Sequence, residues 1–302
     1  MKHPVRRRCE QSLVAVTARL ARVLVRLPLK WLRGIADVAA WLVIALAPRR
    51  QRMADANIAV AFPDLSPRER RGIARRSVHG ICRTMIELLA LPRISREDLE
   101  RLIATPDLSP VREAAQSGSG VLFITAHFGN WEWLGAHLAH QVAPLAVVAL
   151  DHKHGGVADI INAARASHGV RMLGRDDTRE MLRILGSGGM LGMLPDQHAP
   201  QGGIRPDFLG QPAWTFTGPA VLAARTGARV FMVFCLREPS GSLRMELLPE
   251  LQLRDTGDRK EDVEANTRLI NDALEQAIRE HPDNWLWLHD RWKEQRAPGD
   301  ER

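Results

Sequence analysis

A chain of 302 residues, 45% hydrophobic and 25% charged, has enough apolar side chain for a substantial core, which excludes a disordered protein. Its net charge of +7 is lopsided: residues 1–52 hold twelve Lys/Arg against Glu10 and Asp37, a net of +10, so residues 53–302 sum to −3. That placement argues against a nucleic-acid groove spread over the fold and for a local anionic partner such as a phospholipid surface, and the widely spaced Cys9, Cys82 and Cys235 argue against a disulfide framework or zinc ribbon.

The N-terminal segment comes first. From Leu13 to Leu32 the chain is apolar apart from Thr17 and a set of cations, and Arg19, Arg22, Arg26, Lys30 and Arg33 recur at helical spacing. At about 100° per residue they share an arc of roughly 80°, one basic stripe on a greasy helix. Gly34 to Ala47 then gives an apolar helix before Pro48. At about 1.5 Å per residue it reaches roughly 21 Å, short of a hydrocarbon core of about 30 Å. Residues 1–52 therefore read as a basic amphipathic and apolar membrane-associating segment, interfacial or re-entrant. Positive charge on both sides of the apolar run keeps it on the cytoplasmic face of a membrane. The alternatives are a core helix with a wet arginine face and a basic nucleic-acid arm.

Residues 53–302 form the expected body, with a helical lead-in over 54–117. Ser66, Pro67 and Glu69 make a capping-box start, and Ser95 with Asp98 repeats it. After the "SGSG" hinge at 117–120, the short apolar runs "VLFIT", "LAVVAL", "VRML", "MLGML" and "RVFMVFCL" are mostly separated by helix-like sequence. That alternation predicts an α/β core over 118–302, a mixed sheet flanked by helices. "SLRMELLPEL" reads as an edge strand, and Asp262 to Glu280 as a closing helix. The segment from Asp196 to Trp214 is rich in proline and glycine, and so long a loop in a compact domain is usually functional.

"ITAHFGNWEW", residues 124–133, carries the chemistry. With "VLFIT" a strand and a helix starting near Asn130, His127 falls in the connecting turn and Glu132 in the first helical turn. On one continuous helix these positions are about 140° apart; the turn, freed by Gly129, lets the imidazole fold back toward the carboxylate. The helix N-terminus disfavours imidazolium, so His127 reads as a neutral general base with Glu132 as its orienter. Exposed amides at the helix start could steady an oxyanion. The alternative is a hydrogen-bonded structural histidine; a metal site using His137 and His140 has no known zinc spacing.

Taken together, "NIAVAFPDLSPRERRGIARRS", "GVLFITAHFGNWEWLG", "RMLGRDDTREMLRILGSGGMLGMLPDQ", "DFLGQPAWTFTGPAVLAARTGARV" and "NWLWLHDRWK" resemble, in this order, the bacterial lipid A biosynthesis acyltransferases, the late acyltransferases related to lauroyl and myristoyl transferases. The resemblance implies a glycerolipid-acyltransferase-like α/β fold and transfer of a fatty acyl group from acyl carrier protein to a hydroxyl of a lipid A precursor. It makes His127 and Glu132 the H-x4-E catalytic pair. It places Asp196 and Gln197 in the family's "DQ" block, as walls of the active site, and gives Arg165 a substrate-binding role.

A thioester is already activated, so proton removal and oxyanion stabilisation suffice, and neither a metal nor a cofactor is expected. Another membrane lipid, such as an ornithine lipid or a phospholipid, is the alternative acceptor; a silent membrane scaffold is the alternative from outside enzymology. A lipid hydrolase lacks its G-x-S-x-G signature. Attraction of an acidic carrier protein would fall to Arg49, Arg50 and Arg52, with Arg165 nearer the site.

Overall fold

A computed structural model describes residues 26–149, 157–199 and 203–293. The first part of the basic stripe, with Arg19 and Arg22, lies outside the described residues. Helix α1 (Leu29–Leu46) starts five residues before the expected Gly34. Leu32, Ala36 and Ala40, spaced by four, are buried, whereas Trp31, Val38, Trp41, Leu42 and Leu46 are exposed. The two sets lie about 140° apart around the helix. The residue before a proline is driven out of the α region, so α1 ends at Ala47 (φ −117°, ψ 61°) and the chain bends by 89° into α2 (Pro48–Ala61). No single helix among the described residues is long and apolar enough to cross a membrane; α1 and α2 meet that criterion only as a bent pair. The division expected at residue 52 falls inside α2.

Both predicted capping boxes form. Ser66 accepts from the Glu69 amide at the start of α3 (Pro67–Leu88), and Ser95 does the same for Asp98 in α4 (Arg96–Leu102). The helical lead-in is interrupted by a two-residue strand, β1 (Ile103–Ala104), before α5 (Ser109–Gln116). The core then alternates as expected: β2 (Val121–Ile124), α6 (Trp131–Gln141), β3 (Leu145–Ala149), α7 (Val157–Ala166), β4 (Val170–Gly174), α8 (Thr178–Gly186) and β5 (Met190–Met193). The long loop holds two short antiparallel ribbons, made by β6 (Gly203–Ile204) with β9 (Thr215–Phe216) and by β7 (Asp207–Phe208) with β8 (Gln211–Pro212). Then follow α9 (Gly218–Thr226), β10 (Arg229–Arg237), β11 (Leu243–Leu247) and α10 (Arg259–Glu280).

Seven strands form one sheet in the order β1-β11-β10-β2-β5-β3-β4, antiparallel only between β10 and β11. β11 is not the edge, as its alternation implies, because β1 pairs with it in parallel. Along β2, Leu122 and Ile124 enter one core with α8, α9 and α10, whereas Val121 and Phe123 enter another with α5 and α6. A strand covered on both faces has no polar side, which is why it reads as an unbroken apolar run. Helices flank both faces of the sheet.

Glu87, at the end of α3, is fully buried and binds three elements at once: Arg33 of α1 (2.7 Å), Asn130 at the start of α6 (2.9 Å) and Arg237 of β10 (2.5 Å). With the Arg83–Asp37 pair (2.8 Å), this pins α1 to α3. Glu87→Gln leaves the buried Arg237 charge without its counterion and should lower unfolding free energy by roughly 3–5 kcal/mol, read from denaturant titrations.

After α10 the chain returns across the C-terminal end of the sheet. Residues 284–289 bond Gly129 and His127 through the backbone (Gly129 N to Asn284 O 2.9 Å, Leu286 N to His127 O 3.1 Å), and Asn57 of α2 donates to Trp287 O and His289 O.

Candidate active site

His127 sits in the turn between β2 and α6, as the sequence implies. Gly129 makes the turn possible: its φ is +56°, and a Cβ there would lie 2.0 Å from Cys235 O. Asn130 caps α6 by accepting from the Trp133 amide (3.0 Å), and its own backbone N–H donates to Cys235 O (2.8 Å).

Asp196, rather than Glu132, orients the imidazole. Its Oδ1 is 2.9 Å from His127 Nδ1, and its Oδ2 accepts from the His127 amide (3.0 Å) and from Trp285 Nε1 (2.9 Å). Sheet register explains the meeting. β2 and β5 are parallel neighbours with Ile124 opposite Met193, and His127 and Asp196 each lie three residues further on. Glu132 is held instead by the guanidinium fork of Arg165, Nε to Oε2 at 2.8 Å and Nη2 to Oε1 at 2.6 Å. Arg165, expected to contact substrate, is spent on this carboxylate while still lining the pocket below. The Gln197 amide end is 3.5 Å from His127 Nε2, a long contact beside the open face of the ring.

The electrostatics reverse one expectation. Burial opposes a charge on His127, but the Asp196 carboxylate, its hydrogen bond and the nearby Glu132 outweigh it, so the imidazole is raised above its ordinary 6.5. Asp196 is correspondingly lowered: burial opposes its charge, and His127 and the Trp285 N–H overcome that. The two carboxylates outweigh the positive helix start, which therefore does not lower the titration of the ring below its ordinary range. With Nδ1 held by Asp196, Nε2 is the nitrogen left to take a substrate proton.

The expected oxyanion donors are partly taken. The amides of Gly129, Asn130 and Trp133 are bonded, which leaves Trp131 and Glu132 as first-turn donors among the described residues. Thr125 Oγ1 is buried and without a partner among the described residues. Both His127 and Thr125 open on a cavity of about 320 Å³ between α6 and the sheet, walled by Phe123, Leu134, Leu138, Leu145, Val147 and Met172.

His137 and His140 serve packing: His137 Nε2 lies 2.7 Å from Thr105 Oγ1, and His140 Nε2 lies 2.7 Å from His168 Nδ1. Burial pushes His137 down to about 4. His152 and His154 lie outside the described residues. Sequence reasoning gave no role to Trp285, Asn130 or Glu87. The tryptophan-rich "NWLWLHDRWK" was the available signal for the first and an asparagine just before a helix for the second, and nothing in the local sequence marks Glu87.

The sequence profile described as bacterial lipid A biosynthesis acyltransferase matches residues 4–294. Among curated relatives, the phosphatidylinositol mannoside acyltransferase of Mycolicibacterium smegmatis is 28% identical over 225 residues, 73% of this chain and 72% of that protein. The lipid A biosynthesis lauroyltransferase of Escherichia coli is 24% identical over 255 residues, 83% and 82% of the two chains. The palmitoleoyltransferase of the same organism is 23% identical over 248 residues, 81% and 79%.

Proposed function

The chain belongs to the bacterial lipid A biosynthesis acyltransferase family and is an acyltransferase, and from that premise we propose that it moves a fatty acyl group from acyl carrier protein to a hydroxyl of a lipid A precursor. The observation that carries the reading is His127, held by Asp196, opening on a largely apolar cavity. A saturated chain in that cavity leaves its thioester carbonyl at the mouth, where His127 stands. His127 Nε2 takes the proton of the acceptor hydroxyl as the oxygen attacks the carbonyl. The tetrahedral oxyanion is met by the first-turn amides of α6 and by the Thr125 hydroxyl. Collapse forms the ester and expels the carrier's thiolate, which recovers the proton from His127. Glu132, though paired with Arg165, adds a smaller negative potential near the ring in the step where it becomes charged. Asp196 holds the ring at Nδ1, and the Gln197 amide end lies 3.5 Å from Nε2.

The phosphatidylinositol mannoside acyltransferases among the relatives support a second acceptor, a different phosphate-bearing membrane lipid. Mass spectrometry of lipids from cells with and without the gene separates the two, and thioester release by the purified protein tests the chemistry. No acyl gain on any lipid would defeat both readings.

The working location is the cytoplasmic face of the inner membrane. The support is the outer face of α1, where Trp31, Trp41 and Leu46 are 62%, 64% and 75% exposed beside the basic elbow. Membrane binding should weaken as salt screens the arginines.

The cavity gives a prediction about chain length. Gly135 of α6 lines it, and a Cβ there meets Val170 Cγ2 at 3.8 Å and Leu145 Cδ2 at 4.0 Å, both ordinary contacts, so Gly135→Leu fills cavity rather than moving backbone. Displacing about four methylenes at ~0.8 kcal/mol each should shift kcat/KM roughly hundredfold toward shorter donors. Assays across a series of acyl thioesters read this directly; an unchanged profile would place the acyl chain elsewhere.

A further inference from the structure

At the bend between α1 and α2 lies a second concavity, a groove of about 1340 Å³ that shares no lining residue with the acyl cavity. Its walls bring Arg49, Arg50 and Arg52 together with Lys293 from the C-terminal segment, against one acid, Asp290. Arg50 donates to Leu288 O (3.3 Å), and none of the three arginines forms an ion pair among the described residues. The N-cap of α2 is Ala47, which supplies no side-chain cap, so the positive end of this fourteen-residue helix opens toward the same place. Trp292, only 4% exposed, forms part of the wall, and its Nε1–H has no acceptor among the described residues. A buried indole donor without an acceptor points to a ligand that brings one.

The groove also has an apolar rim. Leu46, the last residue of α1 and 75% exposed, lines it, continuing the exposed face of α1 into the cationic pocket. A ligand suited to both parts has an anionic head on a lipid body. A carrier protein docks through a convex face, and a concavity ending against a buried indole does not fit one. The groove is tied to the reacting centre by a short chain of bonds: Asn57 to His289 O (2.7 Å), then the His198 amide to His289 Nε2 (3.1 Å), with Gln197 next in sequence.

We propose that this groove binds the phosphate of a membrane-lipid headgroup, with Arg49, Arg52 and Lys293 supplying charge and Trp292 Nε1–H a directed hydrogen bond. The assignment deepens the acyl-transfer reading by naming phosphate as the handle on the lipid, and rests on it only for which lipid arrives. The test therefore reads binding without turnover. The full chain, labelled with ¹⁵N-tryptophan in neutral detergent, is titrated with short-chain phosphatidic acid, the matching diacylglycerol, inorganic phosphate and acyl carrier protein, with the Trp292 indole signal assigned by Trp292→Phe. Phosphatidic acid should move that signal at a concentration at least tenfold below inorganic phosphate, diacylglycerol should leave it in place, and the surface double variant Arg49→Gln/Arg52→Gln should weaken the response at least tenfold. The His127→Ala chain should respond as the wild type does, so a failure of the acyl-transfer chemistry leaves this result standing. An equal response to diacylglycerol, an equal response to free phosphate, or displacement of the lipid by acyl carrier protein would each overturn the proposal.

Discussion

His127→Ala should abolish acyl transfer while the protein stays folded. Nε2 of His127 is the nitrogen free to accept the hydroxyl proton, and a positioned base contributes about 10²- to 10⁴-fold. The side chain lies in a turn at the mouth of the cavity, and its backbone amide keeps its bond to Asp196. Trp285 Nε1 also still donates to that carboxylate, so the stability loss should be about 1–3 kcal/mol, that of one buried partner. Thioester release with an acceptor present, beside a melting curve, checks both halves; wild-type turnover in the variant would remove His127 from the mechanism.

Asp196→Asn should cost nearly as much, and in a diagnostic way. The amide keeps the volume of the carboxylate but places an N–H where an acceptor stood, so the imidazole loses both its fixed tautomer and its counter-charge; losses near 10⁴ have been found for a buried aspartate in that position in serine proteases. The pH profile gives the sign. The base must be neutral, so wild-type kcat/KM rises with pH through the raised His127 value. Without the Asp196 charge the largest raising influence is gone, and the residual activity should rise at lower pH. Glu132→Gln acts through charge and through its fork with Arg165, and should lose less. A larger loss in Glu132→Gln than in Asp196→Asn would return the orienting role to Glu132.

The contrast between these two carboxylates marks how far the sequence reaches. Strands buried on both faces announce themselves as apolar runs, and "VLFIT" and "MLGML" are found where they were read. The capping boxes at Ser66 and Ser95 are equally local, each complete within four residues. Asp196 is different: its bond to His127 exists because β2 and β5 lie side by side, although two strands and three helices separate them along the chain. Adjacency in a parallel sheet is a tertiary fact, so Glu132, near in sequence, was the more visible partner. The resemblance carried Asp196 and Gln197 into the site as wall residues, but gave no reason for an ion pair. The same holds for Glu87, whose three partners come from α1, α6 and β10, and for β1, too short to show any period.

The late return of the chain over the sheet bears on how the enzyme is made. Trp285, which holds Asp196, and Trp287 and His289, which hold α2, all follow α10, so translation must run past residue 289 before the reacting pair is fixed. A chain stopped between Asp196 and Trp285 contains both His127 and Asp196 and lacks the indole that orients the carboxylate. Nonsense fragments are therefore expected to be inert rather than half-active, and cells carrying them should show no stray hydrolysis of their acyl thioesters.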